Sequence, residues 1–187
     1  MFIKNAQDDK PSAERNHSNP EKKNMFEAAG FDFEIVDLRD YFGKPEKLKE
    51  KVGQAGSFWS SGGNAFVLRR AFAASGLDKI LVDLLKQDKI LYGGWSAGAM
   101  IMAPDLKGPN WSEEDRPDIV PEGYSPKVIW NGLNLVPFYM VPHFGSDIHG
   151  DSPRKLADYY ESKKLQHYIL EDGQAIVIDG SKEEFLK

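Results

Sequence analysis

The sequence predicts an α/β protein: a mostly parallel sheet with helices on both faces, closed by a C-terminal β-hairpin. Three observations carry this expectation. Short β-rich runs alternate with segments of helical periodicity along the chain, the order that builds parallel sheets through crossover helices. Ile90-Leu91-Tyr92 is an apolar run of the buried-strand type leading straight into Gly93-Gly94. Asp172-Gly173 separates two further β-rich runs, Tyr168 to Leu170 and Ala175 to Ile178, and Asp-Gly in that position signals a hairpin.

Taken in order, Phe2 to Ala6 is a short apolar start that suits a strand. Asn19-Pro20 opens a helix, because proline tolerates the first helical position, and Gly30 ends it after about Ala29. Phe33 to Val36 is β-rich, Pro45 to Lys51 is a charged helix, and Ser57-Phe58-Trp59 is a third strand ending in Ser60-Ser61-Gly62-Gly63-Asn64. Asn64 can cap the helix that carries Phe66, Val67, Ala71 and Ala74 at helical spacing. Gly76 ends it, and Leu77 to Leu85 forms the next helix, with Leu77, Ile80, Leu81, Leu84 and Leu85 on one face. From Ala103 to Pro126 the chain is polar and holds five of the eleven prolines, which reads as a long surface loop. Val128 to Trp130 and Leu133 to Val141 are β-rich, and Pro153 to Lys163 is helical.

Composition narrows the function. With 187 residues, 41% of them hydrophobic, the chain is expected to be one domain with a sizeable core. A net charge of −5 without a basic tract argues against nucleic acid as a partner. Cysteine is absent, which excludes disulfides, thiolate metal ligands and a cysteine nucleophile. The start of the chain lacks a signal-like apolar run, and its longest uncharged stretch, Ile90 to Pro104, is 15 residues interrupted by three glycines. A bilayer span needs about 20, so neither a membrane association nor secretion is expected, and the localisation expected is cytoplasmic. The two N-x-S patterns, at Asn16 and Asn110, are accordingly discounted as glycosylation sites.

One motif carries chemistry. Gly94-Trp95-Ser96-Ala97-Gly98 matches G-x-S-x-G between an expected strand and a helical stretch, the context that makes Ser96 a candidate nucleophile on a sharp turn. The plainer reading is a glycine-rich turn whose serine caps a helix. A serine nucleophile needs a base and an acid to orient it. Of His17, His143, His149 and His167, His143 is the best base, since it ends an apolar strand where a sheet gathers functional loops. For the acid, the loop offers Asp105, Glu113, Glu114, Asp115 and Asp118, and the residues alone do not choose among them. The Ala97 amide, with a second N–H from Gly62-Gly63, is the candidate oxyanion hole.

Gly62-Gly63-Asn64-Ala65-Phe66, Gly94-Trp95-Ser96-Ala97-Gly98-Ala99, Asp115-Arg116-Pro117 and Pro142-His143-Phe144 occur in this order. Together they resemble the peptidase E family of aspartyl dipeptidases, relatives of cyanophycinase. The similarity extends from Asn5-Ala6-Gln7-Asp8 to Asp172-Gly173-Gln174-Ala175. It implies a fold similar to class I glutamine amidotransferases, with serine at the elbow, and hydrolysis of dipeptides with an N-terminal aspartate. It implies no metal and no cofactor. By this resemblance Ser96 is the nucleophile, His143 the base and Asp115 the acid, with Gly63 and Ala97 forming the oxyanion hole. Arg154, one position out of the family's register, is the candidate cation for the substrate carboxylate. The expected partner is a small peptide, and the expected assembly a monomer or homodimer.

The chain also departs from the family. It is expected to lack a first βα unit of about 30 residues. Lys4 stands where proline is common, and the loop between Ser96 and Asp115 is longer. These departures keep a silent or differently specific relative open as an alternative. Two other rivals are an α/β-hydrolase-type esterase and a metal site at His143, Asp147, His149 and Asp151. The first suits longer chains, and the second lacks a helical ligand spacing.

Overall fold

The structure is a computed structural model that describes residues 1–10, 20–108 and 115–187. His17, Glu113, Glu114 and the patterns at Asn16 and Asn110 lie outside the described residues. The described strands are β1 (Phe2–Ile3), β2 (Ile35–Val36), β3 (Ser57–Ser60), β4 (Leu91–Gly94), β5 (Tyr139–Val141), β6 (His167–Ile169), β7 (Ala175–Asp179) and β8 (Lys182–Leu186). The helices are α1 (Pro20–Ala28), α2 (Pro45–Val52), α3 (Ala65–Ser75), α4 (Leu77–Lys86), α5 (Ala97–Met100) and α6 (Ser152–Ser162). The fold is α/β, with parallel strands and crossover helices as the alternation requires. Four parallel strands pair in the order β2-β1-β3-β4, and β5 and β6 form a second parallel pair.

The core follows from helix α3. Its residues Ala65, Phe66, Val67, Leu68, Ala71 and Phe72 are all buried, together with Ile3, Phe58, Leu77 and Leu81. Asn64 caps it as expected, its side chain accepting from the Val67 N–H at 2.9 Å. Gly76 ends it at φ +80°, a left-handed position natural to glycine. The same helix ties down the long loop. The buried Arg70 guanidinium donates to the carbonyls of Pro117, Ile119 and Lys127 at 2.6, 3.1 and 3.1 Å. Arg69 reaches the Asn131 carbonyl at 2.9 Å and Asp78 at 3.0 Å. Close to the start of α3, Asn5, buried after β1, donates to Asp8 at 2.8 Å and Asp37 at 3.0 Å. Its side-chain Oδ1 accepts from Leu38 N–H at 3.0 Å.

Two expectations need correction. The hairpin at the C-terminus is present, but it joins β7 to β8 through Gly180-Ser181, with Asp179 opposite Lys182. The β6 strand instead pairs parallel with β5, Tyr139 opposite His167 and Val141 opposite Ile169. The missed strand β8, Lys-Glu-Glu-Phe-Leu, is exposed throughout, so its charges read as solvent-facing rather than as a strand. Secondly, the β-rich stretch from Leu133 is a strand only at Tyr139–Val141. Its earlier N–H groups bond the carbonyls of the turn that follows α5: Leu133 donates to Ile101 at 2.7 Å, Leu135 to Met102 at 2.9 Å and Asn134 to Ala103 at 3.1 Å. These bonds to an irregular turn take the place of a strand ladder.

Candidate active site

The chain turns from β4 into α5 within two residues, and Ser96 is at the apex with φ 50° and ψ −121°. Such a conformation is strained for any residue with a side chain. The glycines around it are required by contact. A Cβ on Gly94 would meet the Gly98 carbonyl carbon at 2.6 Å, and one on Gly98 would meet the Ser60 oxygen at 2.4 Å. The turn is closed by Gly98 N–H donating to Trp95 O at 3.0 Å, and by the Ala99 and Met100 amides on Ser96 O, both at 2.9 Å.

The Gly62-Gly63 turn after β3 lies against this elbow. A Cβ on Gly62 would come within 3.1 Å of the Ser96 Cβ. Gly63 has φ +136°, and a side chain there would collide with the Ala6 carbonyl at 2.4 Å. Both glycines therefore let backbone approach where side chains cannot. Among the described residues, no hydrogen bond engages the Gly63 or Ala97 amide. Trp95, beside the serine, packs on Trp59 and Phe2 at ring separations of 5.4 and 5.6 Å. The Lys22 ammonium stands 5.2 Å from its ring centre, within cation–π range.

His143 follows β5, also at positive φ, 60°. Helix α5 packs against both β4 and β5, so the ends of the two strands carrying Ser96 and His143 flank one short helix. The His143 Nδ1 atom is 2.6 Å from Asp172 Oδ1. The imidazole is largely enclosed and the carboxylate largely exposed. The His149 ring lies over His143 with centroids 4.1 Å apart and planes 17° from parallel. Arg154, exposed in the first turn of α6, holds its guanidinium carbon 5.7 Å from the Phe144 ring centre. Among the described residues no hydrogen bond joins Ser96 Oγ to His143.

The carboxylate beside His143 is therefore Asp172 and not Asp115. Asp115 is buried and accepts from the Ala65 N–H at 2.6 Å, at the start of α3. Its loop is tied there because Asn64 also donates to the Arg116 carbonyl at 3.0 Å. In the sequence Asp172-Gly173 carries only a hairpin signal, which gives Asp172 no link to His143. Once β6 is parallel to β5, both strands end at the same sheet edge, where functional loops collect. Of His143, Asp147, His149 and Asp151, the two histidines stack ring on ring, and among the described residues no group of three or more His, Asp or Glu side chains is placed to hold a metal ion. No helix among the described residues is long and apolar enough to cross a membrane.

The chain belongs to peptidase family S51, whose family model matches residues 10–186. It is similar to an uncharacterized peptidase of Pasteurella multocida (strain Pm70), 28% identical over 134 residues, which are 71% of this chain and 60% of that protein. An uncharacterized peptidase of Listeria monocytogenes serovar 1/2a is 27% identical over 163 residues, 86% of this chain and 73% of the relative. Peptidase E of Nostoc sp. is 30% identical over 132 residues, 68% of this chain and 46% of its own length. The chain thus spans between about half and three quarters of these relatives. Its fold matches the crystal structure of a candidate peptidase E protein from Listeria monocytogenes EGD-e with a TM-score of 0.80. That match is 23% identical and covers all of this chain and 84% of the other.

Proposed function

We propose that the protein is a serine peptidase that hydrolyses small peptides, dipeptides with an N-terminal aspartate foremost, through an acyl-enzyme. The observation that carries this reading is Ser96 held at a strained strand-to-helix turn, with a histidine–aspartate pair at the end of a strand packed on the same helix. Family membership supports it.

In this reading Asp172 accepts a hydrogen bond from His143 Nδ1–H, which keeps the proton on Nδ1 and leaves Nε2 as the base for the Ser96 hydroxyl. Ser96 Oγ attacks the peptide carbonyl while its proton passes to His143. The Gly63 and Ala97 amides receive the oxyanion, aided by the positive end of the short helix. His143 then returns the proton to the leaving amine, and water attacks the acyl-enzyme by the same route. Arg154, exposed beside Phe144, is the cation proposed to pair with the aspartate side chain of the substrate. The reaction needs no metal or organic cofactor.

The test is hydrolysis of a panel of Asp-X, isoAsp-X, Glu-X and neutral dipeptides by wild type and Ser96→Ala. Cleavage of Asp-X that vanishes in Ser96→Ala is expected. Folded wild-type protein that cleaves no member overturns the reading in favour of a silent or differently specific relative.

A further inference from the structure

The catalytic reading leaves His149 without a task, yet its ring covers that of His143. The two planes are 17° from parallel at a centroid separation of 4.1 Å, the spacing of packed aromatic faces. The backbone is built to place it there. Gly145 and Gly150 both have positive φ, 78° and 52°, so the chain reverses on either side of the segment. Ser146 N–H donates to His143 O at 3.1 Å, and Ser152 N–H donates to His149 O at 3.2 Å. The first bond closes the turn after His143, and the second passes the chain into α6.

An imidazole needs such support at this position. Rotation of the ring about Cβ–Cγ is a broad, soft torsion. The hydrogen bond to Asp172 fixes one atom of the ring, and its acceptor is a mostly exposed side chain. A hydrogen bond at one atom does not by itself fix the plane of the enclosed ring about that point. A face contact fixes that plane, and a point and a face together define where Nε2 aims. We propose that His149 is a positioning residue that acts by stacking on His143 and holding its Nε2 toward Ser96. The role rests on the assignment of Ser96 and His143 as nucleophile and base. It requires the flat ring of His149 and not its proton, so a phenylalanine performs it and an alanine does not.

The experiment uses an alkyl fluorophosphonate, whose reaction with a serine nucleophile reports base-assisted attack whatever the natural substrate is. Phosphonylation rate constants and the reagent concentration at half-saturation are measured for wild type, His149→Ala, His149→Phe and Ser96→Ala, each checked for an unchanged melting profile. His149→Ala is expected to lower the rate constant about tenfold to a hundredfold, the scale of a misaligned catalytic group, with half-saturation little changed. His149→Phe is expected to stay within about threefold of wild type. A wild type that reacts at Ser96 together with an unimpaired His149→Ala overturns the positioning role alone. So does a His149→Phe as slow as His149→Ala. A wild type that shows no more labelling than Ser96→Ala overturns the nucleophile assignment itself, and the positioning role with it.

Discussion

His143 Nδ1 lies 2.6 Å from Asp172 Oδ1, joining the end of β5 to the turn after β6. A charge-assisted contact of that length fixes the imidazole tautomer and steadies the imidazolium formed during attack. Asp172→Asn keeps the shape and removes the charge. Its kcat/KM on an Asp-X dipeptide is expected to fall about 10² to 10⁴-fold. The largely exposed carboxylate places the expectation at the lower end of that range. Wild-type kcat/KM in Asp172→Asn, measured by release of the free amino acid, contradicts this assignment.

Ser96 at φ 50° stores strain that the fold must offset elsewhere. Glycine adopts the same conformation without a Cβ penalty. Ser96→Gly is therefore expected to raise stability by about 1 kcal/mol while removing turnover. Urea denaturation measures it as a higher midpoint at an unchanged slope. A lowered midpoint means that the turn is not strained.

The sequence was most legible where demands are local. Asn64 ahead of an apolar helix, Gly76 after it, and small residues on both sides of Ser96 each answer a backbone requirement within a few positions. The parallel pairing of β6 with β5 is not local: Tyr168-Ile169 looks the same beside a hairpin partner or beside Met140. A hairpin partner would leave Asp172 away from the end of β5, whereas the parallel pairing sets its turn beside His143. Asp115 is the converse case, since an acid beside an Arg-Pro in a loop fits a catalytic motif by its residues alone. Its use as a helix-terminal acceptor depends on Arg70 drawing the loop onto α3. The His143–His149 stack likewise depends on two positive-φ glycines whose turns no periodicity reports.

Acid stability is expected to depend on Asp37. Burial opposes its charge, but hydrogen bonds from the Arg39 side chain and backbone and from Asn5 outweigh it, and the carboxyl is held down at about 2. The folded value lies below the unfolded one, so the folded state binds fewer protons. The stabilisation is complete above about pH 4 and is lost as pH falls through about 2. The side chain is about one-third exposed, so screening reduces its worth to about 1 kcal/mol. Unfolding free energies of wild type and Asp37→Asn should therefore differ near neutrality and converge toward pH 2. A difference that does not shrink on acidification removes Asp37 as the titrating group.

Asp115 is expected to matter for stability and not for the chemical step. Its Oδ1 accepts the Ala65 amide at 2.6 Å, an N–H that α3 itself leaves without a partner, and its negative charge sits at the positive end of that helix. Asp115→Ala removes both, with an expected cost of about 1 to 2 kcal/mol. The loop keeps its other ties, because Arg70 still holds the Pro117, Ile119 and Lys127 carbonyls. Since α3 begins directly after the Gly62-Gly63 turn, a small shift of the oxyanion donors should accompany the loss. Once the remaining folded fraction is counted, kcat/KM should fall less than about tenfold. Denaturation and kinetics on the same Asp115→Ala and Asp172→Asn preparations separate the two carboxylates. A loss in Asp115→Ala equal to that in Asp172→Asn, at unchanged stability, would return Asp115 to the role of catalytic acid.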